Sequence, residues 1–202
     1  MLRSHLARAS VDVAADLLGC TLTHETEAGT VTITVTEVEA YAGESDPASH
    51  AFKGQTARNA VMFGEAGHLY VYLSYGLHFC ANVVTGREGE ASAVLLRAGR
   101  VVTGEEVARQ RRGERVKDRG LARGPACLTQ ALGIDLTHNG QDLLGGDSLR
   151  LEMGKPLTPA DIDIATGPRV GVSLAQDVPW RLWVNDDETV SAYKRSPRAP
   201  DV

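Results

Sequence analysis

The feature that most constrains the fold is the stretch VTITVTEVEAY, residues 31–41, which has the two-residue period of a β-strand. Its odd positions begin with three apolar residues and end with Glu37, Glu39 and Tyr41. The face that should point toward the core therefore ends in two carboxylates and a phenol. An ionised carboxylate on a buried face is costly unless it is paired or functional. The strand thus predicts a polar site at its carboxyl end.

Further strands are predicted on both sides of this stretch. Residues 20–26 pair with it through a turn at Ala28-Gly29, and the aromatic segment 70–84 forms two strands around Tyr75-Gly76. Residues 93–96 add a short apolar strand, and the last third of the chain alternates short strands with turns. Strands joined by short turns favour an antiparallel or mixed sheet with helices packed on it.

Three helices are predicted from their start and stop signals. The first begins with Ser10 as its N-cap, the second is highly charged and covers residues 105–119, and the third opens at Gly124-Pro125. A chain of 202 residues that is 43% hydrophobic can bury a core of its own. Because no repeat or linker interrupts it, we predict one compact α/β (α+β) domain over residues 1–202.

The charge balance leaves the partner of this chain open. Net charge is −5, which alone argues against nucleic acid. The basic residues are unevenly spread, because residues 97–123 hold nine Lys or Arg against four acidic residues. A basic segment on an acidic chain is compatible with a phosphate-binding face, and equally with a solvated helix face.

The cysteines and histidines predict neither a disulfide framework nor a metal site. Cys20, Cys80 and Cys127 are odd in number and widely spaced, which favours a reduced, cytoplasmic compartment. His78 shares a strand face with Cys80, but no second pair at ligand spacing follows. We also expect no signal peptide, no membrane span and no nucleotide cofactor, since the patterns typical of each are missing from the sequence.

Four long segments of the chain carry family-like motifs: VTEVEAYAGESDPASHAFKGQTARNAVMFGEAGHLYVYLSYGLHFCANVV (35–84), AVLLRA (93–98), GPACLTQALGID (124–135) and GPRVGVSLAQDVPWRLWV (167–184). Together they resemble the alkyladenine (3-methylpurine) DNA glycosylases, the class found in animals and many bacteria. They follow the family's order and cover nearly the whole chain. The resemblance implies a curved antiparallel sheet with packed helices and a protruding β-hairpin that inserts into DNA.

The resemblance also implies catalytic roles. Glu39 matches the family's catalytic glutamate in an E-A-Y motif, and Arg97 matches the arginine that holds the attacking water with it. The backbone carbonyl at Val170 would be the third ligand of that water. A carboxylate suits this chemistry as general base and as an anion near the developing sugar cation. The residues alone leave two alternative interpretations open. Glu39 could lie at a strand end and reach solvent. Arg97 could form a structural salt bridge.

Four residues match the family's base pocket. Tyr41 and Tyr72 match its two stacking tyrosines, and His50 matches the histidine that packs on the other face of the base. Asn82 matches the asparagine that collides with the exocyclic amine of guanine. A base held in this way has first been rotated out of the duplex. The neighbouring Tyr70 matches no pocket position, and we attribute it to sheet packing.

Further residues are expected to contact DNA outside the pocket. Tyr75, at the hairpin turn, matches the tyrosine that fills the gap left by the flipped nucleotide; without the resemblance, an interface aromatic is an equal alternative. Arg58 and Arg123 are candidates for backbone contacts. Cys127 replaces the lysine that the family commonly has, so a phosphate contact is in doubt there.

These resemblances imply a monofunctional DNA glycosylase. It would bind double-stranded DNA, flip an alkylated or deaminated purine and hydrolyse its N-glycosidic bond, leaving an abasic site. No cofactor, obligate protein partner or lyase activity is expected, because water suffices and no lysine stands in the matched motifs to form a Schiff base. The alternative is a non-catalytic module that binds damaged DNA or structured RNA, since a similar topology serves as an RNA-binding appendage in formyltransferases.

Overall fold

The computed structural model describes residues 1–153 and 163–200. Its strands are β1 (Thr21–Thr26), β2 (Gly29–Tyr41), β3 (Leu69–Ser74), β4 (His78–Val84), β5 (Ala93–Thr103), β6 (Leu149–Glu152), β7 (Ile164–Gly167) and β8 (Arg181–Val184). Its α-helices are α1 (Arg3–Leu6), α2 (Ser10–Leu17), α3 (Glu105–Arg112) and α4 (Pro125–Leu132). The described helices have at most eight residues, well below the ~20 that a membrane crossing requires.

All described strands join one antiparallel sheet, which confirms the predicted antiparallel sheet of an α/β fold. The order is β3-β4-β5-β2-β1-β6, and β8 pairs with both β2 and β7. Strand β2 is the centre of this arrangement. Its first half pairs with β1 and its second half, from Glu37 to Glu39, pairs with β8, while β5 runs along its other edge. The sheet curls where β2 exchanges one neighbour for the other.

Two irregularities in the β2–β5 pairing shape this central region. Val35 pairs with Gly99 and Glu37 pairs with Ala98, so Thr36 is an extra residue in β2. The next pair joins Val38 to Leu96, so Arg97 is an extra residue in β5. Bulges re-aim side chains and are frequent beside active sites. Here they bring Arg97 next to the two glutamates of β2.

A single row of side chains crosses five strands on one face of the sheet. The cross-strand partners, in order from β3 to β8, are Tyr70, Asn82, Leu95, Glu39 and Arg181. Directly opposed residues of antiparallel strands point to the same face. Pairing alone therefore aligns Glu39 with polar and aromatic residues more than 30 positions away in the sequence.

The helices cover the sheet with apolar faces. Helix α2 buries Val13 and Leu17, four residues apart on one face, and α4 buries Leu128 and Leu132 in the same spacing. Each such side chain contributes about 1.5–3 kcal/mol when fully removed from water. This core keeps the central strands rigid beneath the polar row.

Three sequence predictions about element bounds were wrong. Ala9, not Ser10, is the N-cap of α2, and the Ser10 hydroxyl is buried without a hydrogen-bond partner among the described residues. Helix α3 ends at Arg112 rather than at residue 119, because Gly113 takes a φ of 107°. Strand β5 runs to Thr103 rather than ending at 96, because pairing with β2 extends it past its apolar start.

Candidate active site

Glu39 lies at the base of an open cavity and is itself wholly buried. The Val170 N–H donates to its Oε1 at 2.7 Å, and the Tyr41 hydroxyl donates to its Oε2 at 2.8 Å. Arg97 Nη1 lies 3.2 Å from the same Oε1. A carboxylate offers about four acceptor positions, so these contacts leave one of them for another donor.

The surroundings keep the donors of Glu39 in their donating forms. Burial, together with the adjacent Glu39 carboxylate, holds the pKa of the Tyr41 phenol well above its usual range. Burial opposes the charge of Arg97, but Glu39 and Glu37 raise its pKa. Both side chains therefore remain proton donors toward the carboxylate at neutral pH.

Arg97 contacts both glutamates of β2. Its shortest contact is with Glu37, because Nε donates to Glu37 Oε1 at 2.8 Å. Glu37 had no role in the sequence prediction, yet it also accepts from Arg181 Nε at 2.6 Å and from the Ser191 N–H at 2.7 Å. The sequence placed Glu37 on the right face, but its partners lie up to 154 residues away.

The cavity above Glu39 has a volume of about 540 Å³, within the ~300–1,000 Å³ typical of small-molecule sites. The structure brings together in its lining every pocket residue that the resemblance implied, along with both catalytic candidates. They are Glu39, Tyr41, His50, Tyr72, Asn82, Arg97 and Val170. Arg58 and Tyr75 also line the cavity, whereas Arg123 does not.

Aromatic rings form one wall of this cavity. The His50 and Tyr72 rings meet edge to face with centroids 4.5 Å apart, and Tyr70 lies 5.6 Å from Tyr72. The attribution of Tyr70 to sheet packing was incomplete, since its hydroxyl lies 3.3 Å from His50 Nδ1 and it lines the cavity. The cross-strand pair Tyr70–Asn82 places it there. Its carbonyl also accepts from Asn82 Nδ2 at 3.0 Å, which orients that amide.

The wall is uncharged at neutral pH. Burial, with the Cys80 thiol beside it, holds the pKa of Tyr72 well above its usual range. Partial burial and the nearby Arg58 lower the pKa of His50. Two neutral rings therefore face the cavity, and the carboxyl group of Glu39 lies at its base.

The hairpin tip and Arg58 form the rim. Tyr75 is 86% exposed at the β3–β4 turn with a left-handed φ of 50°, and Leu77 beside it is 75% exposed. A large residue in this backbone region is strained and exposes its ring to water, which points to a functional cause. The exposed Arg58 lies 5.7 Å from the centroid of the Tyr72 ring, and its Nη2 donates to the Leu73 carbonyl at 3.2 Å.

Much of the basic segment holds the fold together. Arg109 donates to Asp118, Arg111 to the Ala131 carbonyl, and Arg112 to Gln130. These bonds attach α3 to α4 and to the loop between them. Arg112 Nη2 also lies 2.9 Å from the Cys127 sulfur, so a cation stands beside that thiol. Of the candidate backbone contacts, Arg123 is exposed and donates through Nε to the Val190 carbonyl at 2.8 Å.

The sequence analysis missed a buried ion pair that supports the site. Arg169 and Asp46 are both buried and joined by two contacts of 2.5 and 2.9 Å. The guanidinium of Arg169 lies over the Tyr41 ring at 4.7 Å and over the Trp180 ring at 5.2 Å. Because Arg169 precedes Val170, the pair anchors the backbone that donates to Glu39. In the sequence, the one indication of a role for Arg169 was its position inside the family-like segment 167–184.

No group of three His, Cys, Asp or Glu side chains converges as a metal site within residues 1–153 and 163–200. The polar groups of the cavity instead surround a single carboxylate. An arrangement of this kind suits a reaction that needs one base, an activated water and a flat aromatic ligand.

Comparison with known families identifies the family of this chain. The family model of methylpurine-DNA glycosylases matches residues 4–188 of the 202-residue chain. The chain belongs to the methylpurine-DNA glycosylase family. This confirms the resemblance that the sequence motifs carried.

Relatives within the methylpurine-DNA glycosylase family match over most of their length. A protein of Streptomyces avermitilis is 50% identical over 195 residues, covering 95% of this chain and 91% of the relative. One from Nocardia farcinica is 54% identical over 193 residues, covering 93% and 88%. One from Mycolicibacterium fortuitum is 54% identical over 176 residues, covering 84% and 88%. Each bears the name "Putative 3-methyladenine DNA glycosylase".

Proposed function

We propose that this chain, as one domain over residues 1–202, is a monofunctional DNA glycosylase that removes alkylated or deaminated purines from duplex DNA. The observation that carries the proposal is the carboxylate of Glu39, held by Tyr41, Arg97 and the Val170 N–H at the base of a cavity walled by tyrosines. Its substrates are of the 3-methyladenine, 7-methylguanine, hypoxanthine and ethenoadenine class.

The proposed reaction is a single hydrolysis. Glu39 accepts a proton from water through its remaining acceptor position, and the water oxygen forms a bond to C1′ of the sugar. The N-glycosidic bond breaks and its electron pair leaves with the base. The anionic carboxylate also stabilises the positive charge that develops on the sugar. A 3-methylated or 7-methylated purine carries a formal positive charge and leaves as a neutral base.

The cavity supports recognition of a flipped base. The expected arrangement, with His50 and Tyr72 on opposite faces of the base, does not fit the 4.5 Å contact between their two rings. Both rings would therefore lie on one face of the purine and Tyr41 on the other. Phenols with raised pKa remain electron-rich neutral rings, which favours a cationic base through cation–π attraction. Asn82, fixed by the Tyr70 carbonyl, would disfavour guanine through its exocyclic amine, a cost that the positive charge of 7-methylguanine would offset.

The rim supports binding to duplex DNA. Tyr75 would enter the stack from the minor groove and occupy the space of the flipped nucleotide. Arg58 and Arg123 would contact phosphates on either side of it. The reaction needs water and no cofactor. Among the described residues that line the cavity none is a lysine, which supports hydrolysis without strand cleavage by lyase chemistry.

A single-turnover assay tests the proposal. Duplex oligonucleotides with one hypoxanthine, ethenoadenine or 7-methylguanine are incubated with excess protein, and alkali reveals abasic sites. We expect base release by the wild type and a loss of about 10²–10⁴-fold in the rate for Glu39→Gln. DNA binding should persist in that variant, because Gln keeps the shape of the side chain.

The other results of that assay are equally decisive. Tight binding to damaged DNA without base release by the wild type would favour the non-catalytic binding module. Base release that survives in Glu39→Gln would keep the glycosylase activity but assign the general base to another residue.

A further inference from the structure

The second carboxylate of β2, Glu37, is buried behind the cavity and is saturated with hydrogen bonds. Its Oε1 accepts from Arg97 Nε at 2.8 Å, from Arg181 Nε at 2.6 Å and from the Ser191 hydroxyl at 2.9 Å. Its Oε2 accepts from the Ser191 N–H at 2.7 Å. Glu37 does not line the cavity. It is therefore unsuited to act as a base itself.

The bonds to Glu37 set the orientation of Arg97. The planar guanidinium is held at Nε by Glu37 and at Nη2 by the Ser191 hydroxyl, 3.2 Å away. These two anchors direct the remaining nitrogen, Nη1, to Glu39 Oε1 at 3.2 Å. Because the fork is rigid, fixing two of its nitrogens fixes the third.

The same contacts balance the charge of the cluster. Glu37 and Glu39 carry two negative charges, and Arg97 and Arg181 carry two positive charges, all of them buried. Burial alone would raise the pKa of Glu37, but Arg97, the Ser191 N–H and Arg181 outweigh it and lower that pKa. Glu37 is thus an anion that binds the Nε groups of both Arg181 and Arg97. Without it, two cations would face Glu39 alone.

We propose that Glu37 and Ser191 are positioning residues for the glycosylase reaction: they fix Arg97 so that it offers one contact to Glu39 and leaves an acceptor position for water. This inference rests on the proposed function, in which Glu39 takes the proton of that water. Glu37 also supplies the counter-charge that keeps Glu39 able to accept a proton. Glu39 and the residue that positions its arginine, Glu37, are therefore two residues apart on strand β2.

The variant Glu37→Gln removes the counter-charge with little change of shape. Arg97 would then lose its charged partner at Nε and turn toward Glu39, where it would compete with the water and make that carboxylate harder to protonate. We expect the single-turnover rate to fall about 10- to 100-fold, as misplacement of a supporting group typically costs. The acid limb of the pH–rate profile should move to lower pH, and the Kd for damaged DNA should stay unchanged.

A second variant avoids the risk that a buried substitution unfolds the chain. Ser191→Ala removes only the hydroxyl and keeps the N–H bond to Glu37, and the residue lies on the half-buried segment after β8. A several-fold loss of rate is expected, with a smaller displacement of the pH profile in the same direction. Glu188→Gln is the matched control, because this exposed glutamate of the same segment forms a long ion pair with Arg119, at 3.8 Å.

Nitrogen NMR of the arginine side chains gives a readout that does not depend on activity. The Arg97 Nε–H should exchange slowly in the wild type and in Glu188→Gln, faster in Ser191→Ala, and fastest in Glu37→Gln. Folded variants with wild-type rates, pH profiles and Arg97 exchange would overturn this inference alone. A reduced rate with an unmoved pH profile would assign Glu37 a merely structural role. Absence of base release by the wild type on every lesion would instead overturn the proposed function, and with it the catalytic part of the inference.

Discussion

The carboxyl end of β2 and the tip of the β3–β4 hairpin line the same cavity but are built in opposite ways. Glu37 and Glu39 on β2 are fully buried, and each carboxylate has protein donors within 3.2 Å. Tyr75 on the hairpin is 86% exposed and has a strained backbone angle. The first region is prepared in advance for one geometry. The second presents apolar surface that only a partner can cover.

This difference teaches which properties each region can supply. A preorganised, buried carboxylate serves a chemical step, because its donors need no rearrangement during the reaction. An exposed aromatic on a tight turn serves association, because its burial is gained only in the complex. On the proposed function, substitutions in the two regions should therefore separate rate from affinity. The following predictions test that separation, from the largest expected effect to the smallest.

Breaking the buried Arg169–Asp46 ion pair should have the largest effect, a decrease in the free energy of unfolding. Asp46→Ala leaves Arg169 buried without its carboxylate, and the loss of one partner from a buried pair costs about 3–5 kcal/mol. Urea unfolding should show this decrease in the free energy of unfolding. Arg8→Ala, which breaks the exposed pair with Asp16, is the control and should change it by about 0–1 kcal/mol. Equal small changes in both variants would mean that the buried pair does not anchor the site.

Removing the exposed ring should weaken binding and spare the chemistry. Tyr75→Ala should raise the Kd for a damaged duplex about 10- to 100-fold, equivalent to the ~1–3 kcal/mol of one aromatic stacking contact. Fluorescence anisotropy measures the Kd, and the single-turnover rate at saturating protein should fall by a smaller factor. Tyr193→Ala, at another exposed tyrosine, should leave both quantities unchanged. A rate loss larger than the affinity loss would place Tyr75 in the chemical step.

Removing a phosphate contact should change the salt dependence more than the affinity at any single salt concentration. Arg123→Ala should weaken binding several-fold and reduce the slope of log K against log salt by about one. Binding at a series of salt concentrations measures that slope. Arg109→Ala removes an arginine of the same segment that already binds Asp118, so its slope should match the wild type. An unchanged slope for Arg123→Ala would remove it from the DNA interface.

The smallest expected effect is a dependence of stability on pH, far from the cavity. His24 is buried, its Nδ1 lies 2.8 Å from the Leu132 carbonyl, and its ring meets His138. Burial, with the nearby His138 and Arg111, lowers the pKa of His24 below 6.5. The unfolded chain then binds the proton more readily, so the free energy of unfolding should decrease as pH falls below about 6.5, by at most about 1.4 kcal/mol per pH unit.

Thermal or urea unfolding between pH 7.5 and 5 tests this dependence. His24→Gln should flatten the decrease, because no imidazole remains to be protonated at that position. His5→Gln, at an exposed histidine, should keep the wild-type slope. The same slope in all three proteins would show that other groups cause the acid sensitivity.

The sequence was most informative where local pattern and structure coincide. The two-residue alternation of residues 31–41 identified a central strand whose inner face ends in carboxylates, and Glu37 and Glu39 are both buried there. The Tyr75-Gly76 pair indicated a turn, because glycine tolerates positive φ, and β3 and β4 meet at that point. Long family-like segments then established the family. These features depend on residues that are close together in the sequence or on long contiguous motifs.

Only the tertiary structure decided which charged groups neutralise each other. Two bulges insert Thr36 and Arg97 into the β2–β5 pairing and direct Arg97 to both glutamates. The hydrophobic periodicity of the sequence does not reveal these bulges. Arg181 and Ser191 reach Glu37 across roughly 150 residues of chain. The arginines of α3, which suggested a phosphate-binding face, are largely bound to α4 and its preceding loop. A sequence records the charge of each side chain, but its partner depends on strand pairing and packing, which are properties of the folded chain.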